Sequence, residues 1–374
     1  MPTEEYRSAI LDLVYLASCA VNGHTPDAVR VSQMDLTALY HAADHHLLTG
    51  ITAMALESVG VKNEAFTQAK GKAIRKVVAF DIERAAVLAK LEEAGIWYVP
   101  LKGAVLKELY PRMGMRQMSD NDILIDENRI EDTNRIMENL GFSHEHSGAF
   151  HNVYYKEPVC SFEMHYALFS ARYERLYSYY KKVKERLLKD TDNRFGYHFS
   201  DNDYYIYMIA HEYKHYSNGG TGLRSLLDTY VFCKNKGDAL DWSYIAGEMQ
   251  MLGIADFENH NRNLAMHLFG GDELSAEEAE MMDYVLSSGT YGTLRNRINN
   301  QIKQYGSGPL GRRKYFFSRV FLPMHTVRAC FPLFARFPIL LPFLPLYRLF
   351  RGLTERREEI RSELKILAEY NGKE

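Results

Sequence analysis

The chain has 374 residues, 46% hydrophobic and 25% charged, with a formal net charge of −3. Those values fit a soluble globular protein with one sizeable core or two, and they exclude a disordered chain. Cys19, Cys160, Cys233 and Cys330 are far apart and form no C-x-x-C pattern, so buried, reduced thiols in a cytoplasmic protein are expected. The start, Met1-Pro2-Thr3-Glu4-Glu5, has neither a basic segment nor an early apolar one, and a secretory signal is not expected.

Taken in chain order, helical apolar spacing predicts helices over Leu36 to Leu56 and Ala65 to Glu93, broken near Gly60 and Gly95. Trp97-Tyr98-Val99 reads as a short strand. Lys102-Gly103 turns it into a helix from Ala104 to Tyr110, which ends before Pro111. An extended segment runs from Asp120 to Ile125, and a helix from Arg129 to Leu140 stops at Gly141. Val153 to Lys156 and Ser161 to Tyr166 are strand-like and meet in a hairpin turn at Pro158. The polar stretch Asp190-Thr191-Asp192-Asn193 marks a boundary, the chain is helical again from Asp203, and Gly306-Ser307-Gly308-Pro309 marks a second boundary. There is no internal repeat or low-complexity tract.

Chemistry concentrates between Leu101 and His165. On an extended strand, residues spaced i, i+2 share a face, so Asp120 and Asp122 are expected side by side while Ile123 and Ile125 point the other way. Two such carboxylates can hold Mg²⁺ (or Mn²⁺), and a third acid on a neighbouring strand allows two ions to flank a phosphoryl group. Glu163 is the natural third acid, because Phe162, Met164 and Tyr166 alternate with Ser161, Glu163 and His165. Gly103 permits close backbone approach at a helix start and Lys102 adds charge, a place where phosphate can rest; Arg116 is a further candidate for the same role. The bland readings are a turn-capping Asp120, a solvated Asp122, Lys102 and Arg116 in solvent, and a structural His165.

The segment Pro100-Leu101-Lys102-Gly103, with Tyr110-Pro111, Arg116 and Asp120-Asn121-Asp122, resembles the polymerase-beta-like nucleotidyltransferase superfamily. More narrowly, it looks like the uncharacterised bacterial "nucleotidyltransferase family protein" branch. The resemblance continues through Phe162-Glu163-Met164-His165 to His211, His215, Leu223-Arg224 and Leu227-Asp228. It implies that Gly103 is the phosphate-side glycine, that Asp120 and Asp122 are the metal pair, and that Glu163 is the third carboxylate. His165, His211, Arg224 and Asp228 are then candidates for the substrate side. The implied reaction moves a nucleoside monophosphate from an NTP to an acceptor that is a small molecule, a sugar or a protein. Two departures stand out: Ala104 follows Gly103 where the superfamily has Gly or Ser, and the stretch from Gly103 to Asp120 is longer than in the commonest form.

The expected fold is therefore α+β, a small mixed-sheet nucleotidyltransferase core flanked by N-terminal helices and a larger C-terminal helical region. The expected boundaries are 1–70 for the N-terminal helices, 71–200 for the core, 201–308 for a helical subdomain, and 309–374 for a basic, Pro-rich apolar segment with a terminal helix.

Two features compete with this reading. His211-Glu212-Tyr213-Lys214-His215 matches H-E-x-x-H, a zinc metallopeptidase pattern, but no further histidine follows at metzincin spacing. From Tyr284 to Thr354 there are eleven Lys and Arg and no Asp or Glu, which suggests an anionic partner: membrane headgroups, nucleic acid or the acidic body. The apolar run Phe337 to Tyr347 is too short to span a bilayer. Either broken helices pack on the body, the preferred expectation, or the segment makes a weak peripheral contact with anionic membrane, the function of a catalytically silent binding protein.

Overall fold

Tyr98–Pro100 (β1), Asn121–Ile125 (β2), Ser143–Ser147 (β3), His151–Lys156 (β4) and Cys160–His165 (β5) form a five-stranded mixed sheet in the order β1-β2-β5-β4-β3, and burial alternates with period two along β4 and through most of β5. The structure is a computed structural model describing residues 4–370 apart from 149, 291, 307, 323 and 356, and apart from the side chains of 325, 329, 330, 353–355 and 359. Ser307 and the Cys330 side chain thus lie outside the described residues. β2 and β5 run parallel, and the other pairs are antiparallel. The sheet is the mixed one expected, and the α+β class holds.

Both faces of the sheet are covered. On one, Ile123, Ile125, Tyr154, Phe162 and Met164 pack on Val77, Phe80, Val87 and Leu91 of the Glu64–Glu93 helix and on Met137 of the Ile130–Asn139 helix. On the other, Val99, Leu101 and Leu124 join a cluster with Tyr204, Tyr205, Tyr207 and Met208 of the Asp201–Asn218 helix and Phe232 of the Leu223–Lys236 helix. Asp122 of β2 and Glu163 and His165 of β5 share this second face, so they lie under the helices instead of in open solvent, while Asn121 faces the other way and donates to the Phe80 carbonyl.

The single helix expected over Leu36 to Leu56 is two, Leu36–His45 and Thr49–Ser58. Leu47 takes a left-handed φ of 54° between them, and the start of the second is capped from outside, because Thr49 Oγ1 and the Gly50 amide both donate to Gln117 Oε1. An earlier helix, Glu4–Asn22, buries Ile10, Leu13, Leu16 and Ala17 and packs on both.

The chain divides into two compact units. The first comprises Met1–Lys214 and Gly222–Thr290 and contains the sheet. The second comprises His215–Thr221 and Tyr291–Glu374; in it the Leu294–Gln304, Pro309–Val320 and Arg357–Glu369 helices enclose a small core of Ile298, Ile302, Tyr315 and Leu367. Among the described residues, no helix is long and apolar enough to cross a membrane.

Candidate functional site

Strand register assembles the polar face. Asp122 lies opposite Glu163 and Leu124 opposite His165 in the parallel pair; across the hairpin His165 lies opposite His151 and Glu163 opposite Val153. Asp122, Glu163, His165 and His151 therefore point to one side of the sheet. Asp120 sits one residue before β2.

Lys102 closes this group from the end of β1. Its backbone has φ 46° and ψ −118°, a conformation that costs an L-residue on the order of 1–3 kcal/mol and that concentrates at functional sites. Its carbonyl accepts from the Tyr204 hydroxyl at 2.9 Å and from the Leu106 amide at 3.0 Å, which holds the strained turn. Lys102 Nζ donates to Asp122 Oδ1 at 2.5 Å, and His165 Nε2 lies 2.8 Å from the same oxygen and 3.3 Å from Glu163 Oε2. Two carboxylates facing one ring nitrogen require that Nε2 carry the proton. Nδ1 of His165 and Nδ1 of His151 are buried without a hydrogen-bond partner.

Three acids share this shielded pocket, and their environments set their carboxyls apart. Burial, then the neighbouring Asp122 charge, pushes the Asp120 carboxyl up to about 6 against the pull of Lys102. Burial acts on Asp122 too, but the Lys102 ammonium and the His165 hydrogen bond outweigh it and hold that carboxyl well below the usual range. The same contest leaves Glu163 lowered, chiefly by its bond to His165. For Lys102, burial favours the neutral amine, yet Asp122, Asp120 and Glu163 raise it above a free lysine. Lys214, on the Asp201–Asn218 helix with Nζ 5.9 Å from the Phe150 ring centroid, moves the other way: burial and then the Lys102 charge lower it to about 7.

A second buried cluster adjoins the first. Arg116 Nε and Nη2 donate to Asp228 Oδ1 and Oδ2, both at 2.8 Å, and the Tyr110 hydroxyl donates to Oδ1 at 2.8 Å. A Cβ on Gly103 would lie 2.5 Å from Arg116 Nη1 and 2.7 Å from Met118 Sδ, so the glycine here leaves room for this cluster. Arg224 Nη1 donates to the Gln117 carbonyl and to Ser119 Oγ, each at 3.2 Å, and Lys76 Nζ donates to the Ser119 carbonyl at 3.0 Å. The approach to Asp120 is thus bracketed by two cations.

Of the residues expected from sequence, Asp120, Asp122, Glu163, His165 and Lys102 come together, Arg224 flanks Asp120, and Arg116, Gly103 and Asp228 form the neighbouring cluster. His211 stands beside Tyr207, with ring centroids 6.1 Å apart. Glu212 of the H-E-x-x-H run is buried and accepts from Thr229 and Asn261, so it is part of the helix packing. The group whose ligand atoms all lie within 4.8 Å is His151, Glu163 and His165 among the described residues. Sequence reasoning missed His151 and Lys214. Neither carries a motif of its own; the pairing of β4 with β5 supplies the one, and the Asp201–Asn218 helix the other.

A family model described as uncharacterised nucleotidyltransferase matches residues 32–270, a span that takes in every residue of both clusters. No curated protein and no solved structure matches the sequence.

Proposed function

The chain belongs to the uncharacterised nucleotidyltransferase family, and from that premise we propose that it transfers a nucleoside monophosphate from an NTP to an acceptor hydroxyl or amine, with pyrophosphate leaving. The family supports nucleotidyl transfer as the general function and an NTP as substrate. The observation that carries the finer reading is the gathering of Asp120, Asp122 and Glu163 on one sheet face beside Lys102.

The donor chemistry fits a hard divalent ion, Mg²⁺ or Mn²⁺, which Asp120, Asp122 and Glu163 would hold. Such an ion, when bound, neutralises the triphosphate and lowers the pKa of the acceptor oxygen. His151 and His165 each bring a ring nitrogen within 4.8 Å of a Glu163 oxygen, and a nitrogen donor suits Mn²⁺ better than Mg²⁺. His165 fixes Asp122 and Glu163 relative to each other by meeting both with one N–H. Lys102 is the phosphate-side cation in this reading. Arg116, which the sequence offered for the same role, is instead engaged with Asp228 in the neighbouring cluster beside Gly103, and Arg224 is the flanking cation at Asp120.

One observation favours a second reading, a binding protein without transfer chemistry: Lys102 already neutralises Asp122 at 2.5 Å, in the position where an ion would do so. Incubating the protein with each of the four NTPs and Mg²⁺ or Mn²⁺, and measuring pyrophosphate release and self-labelling, separates the two. Release with at least one NTP, lost in Glu163→Gln, is expected. NTP binding without release under any condition supports the second reading instead.

A further inference from the structure

The apolar surface of the protein is unevenly spread. Of twenty-six large hydrophobic side chains that are exposed among the described residues, fourteen fall between Leu310 and Phe350 of the second unit. Ile339 is 82% exposed, Phe350 71%, Leu333 67%, Leu346 65%, Phe321 63% and Phe343 60%, whereas the core cluster of this unit, among the described residues, gathers only Ile298, Ile302, Tyr315 and Leu367 as buried side chains. Scattered apolar side chains on a surface need no explanation, but a contiguous stretch of this density marks a contact surface.

What covers it is indicated by charge. Exposed Arg312, Arg313, Lys314, Arg328, Arg336 and Arg351 lie in the same stretch, and no Asp or Glu occurs from Tyr284 to Thr354. The helices are short, Pro309–Val320, Met324–Cys330, Pro332–Arg336 and Leu344–Glu355, with a 3-10 turn Pro338–Phe343; prolines keep any from becoming a span. In the Leu344–Glu355 helix, Leu346, Leu349 and Phe350 are spaced i, i+3, i+4 and exposed, while Leu344 on another face is buried. A cleft of about 430 Å³ pairs the same two chemistries, with Phe316, Val320, Phe331 and Leu349 beside Arg348 and Arg351, while Arg319 in the same lining is paired with Glu363 of the terminal helix.

We infer that this face binds the surface of anionic phospholipid membranes, the aromatic and aliphatic groups entering the headgroup and acyl boundary and the arginines meeting lipid phosphates. A second copy of the chain would set one basic face against another, which like-charge repulsion opposes. Nucleic acid would use the cations and the aromatics but would gain nothing from Ile339, Leu340, Leu346 and Leu349. Lipid uses all of them.

The test is co-sedimentation of the full chain with vesicles of phosphatidylcholine alone or mixed with phosphatidylglycerol. Binding to the mixed vesicles should be roughly tenfold or more above that to phosphatidylcholine, and should weaken as salt rises. Phe343→Asp with Phe350→Asp should lower it by a further factor of about ten. Because that variant could misfold, Phe350→Trp gives an independent reading: its emission should shift to the blue on mixed vesicles and be quenched by brominated acyl chains. No preference for the anionic vesicles, or an emission unchanged while the protein sediments with them, overturns the inference, as does dimerisation or nucleic-acid binding through this face without any vesicle binding.

Discussion

Two groups of buried charge lie side by side in the first unit, and they are built on opposite principles. Around Asp228 each oxygen is met by a guanidinium N–H and one also by Tyr110, so charge is balanced. Around Asp122 three acids face one raised lysine and one lowered one, a strained backbone turns Lys102 inward, and two imidazole nitrogens have no partner. A paired cluster needs nothing else and reads as structure. An unbalanced one, held in place against its own repulsion, reads as a site prepared for a cationic or phosphate-bearing ligand.

That contrast breaks first at Asp122. Asp122→Asn keeps the shape and removes one charge, and transfer per folded molecule should fall by about 10³-fold, on the order of 4 kcal/mol of barrier, with a lowered melting temperature because Lys102 and His165 lose their shared carboxylate. If the variant turns over like wild type, the carboxylate is not part of the chemistry. Asp228→Asn should do the reverse. It leaves the Arg116 guanidinium buried without its bidentate partner, a loss of about 3–5 kcal/mol of stability, readable in urea unfolding, while turnover per folded molecule is largely kept.

Glu212 sharpens the same comparison through pH. Burial pushes its carboxyl up to about 7 from an ordinary 4.5. The folded value is the higher, so the stabilising protonated form contributes fully below about pH 4.5, and the contribution drains away as pH rises through about 7, on the order of 3 kcal/mol in all. Glu212→Gln should remove that window, seen as the difference between wild-type and variant unfolding free energies across the range. Parallel curves would show that Glu212 ionises no differently in the fold. Gly103→Ala has the smallest expected effect. Its Cβ would crowd Arg116 and Met118 and cost about 1–3 kcal/mol of stability, with the KM for NTP little changed; a raised KM in a stable variant would return the glycine to the phosphate.

How much of this was legible beforehand follows from what each residue depends on. Asp122 and Glu163 were legible because alternation fixes which side chains share a face, and the β4–β5 hairpin because its two strands are close in sequence. The pairing of Arg116 with Asp228 spans 112 positions, and no local pattern announces it, although both residues were candidates. His151 depends on the register of β4 against β5. Lys214 sits inside a run that draws the eye to its histidines, and its lowered pKa comes from burial and then from Lys102, far off in sequence. β3 was invisible for another reason: Ser143–Ser147 is polar and exposed throughout, so it has no apolar alternation to read.

The most direct test of the unbalanced cluster as the nucleotide site is Mn²⁺ binding by electron paramagnetic resonance, in the presence of a non-hydrolysable NTP analogue, for wild type, Asp122→Asn and Asp228→Asn. Bound Mn²⁺ is expected in wild type and in folded Asp228→Asn, and its loss in Asp122→Asn. Equal Mn²⁺ binding in wild type and Asp122→Asn, or no binding in a wild type that still turns over NTP, would contradict it.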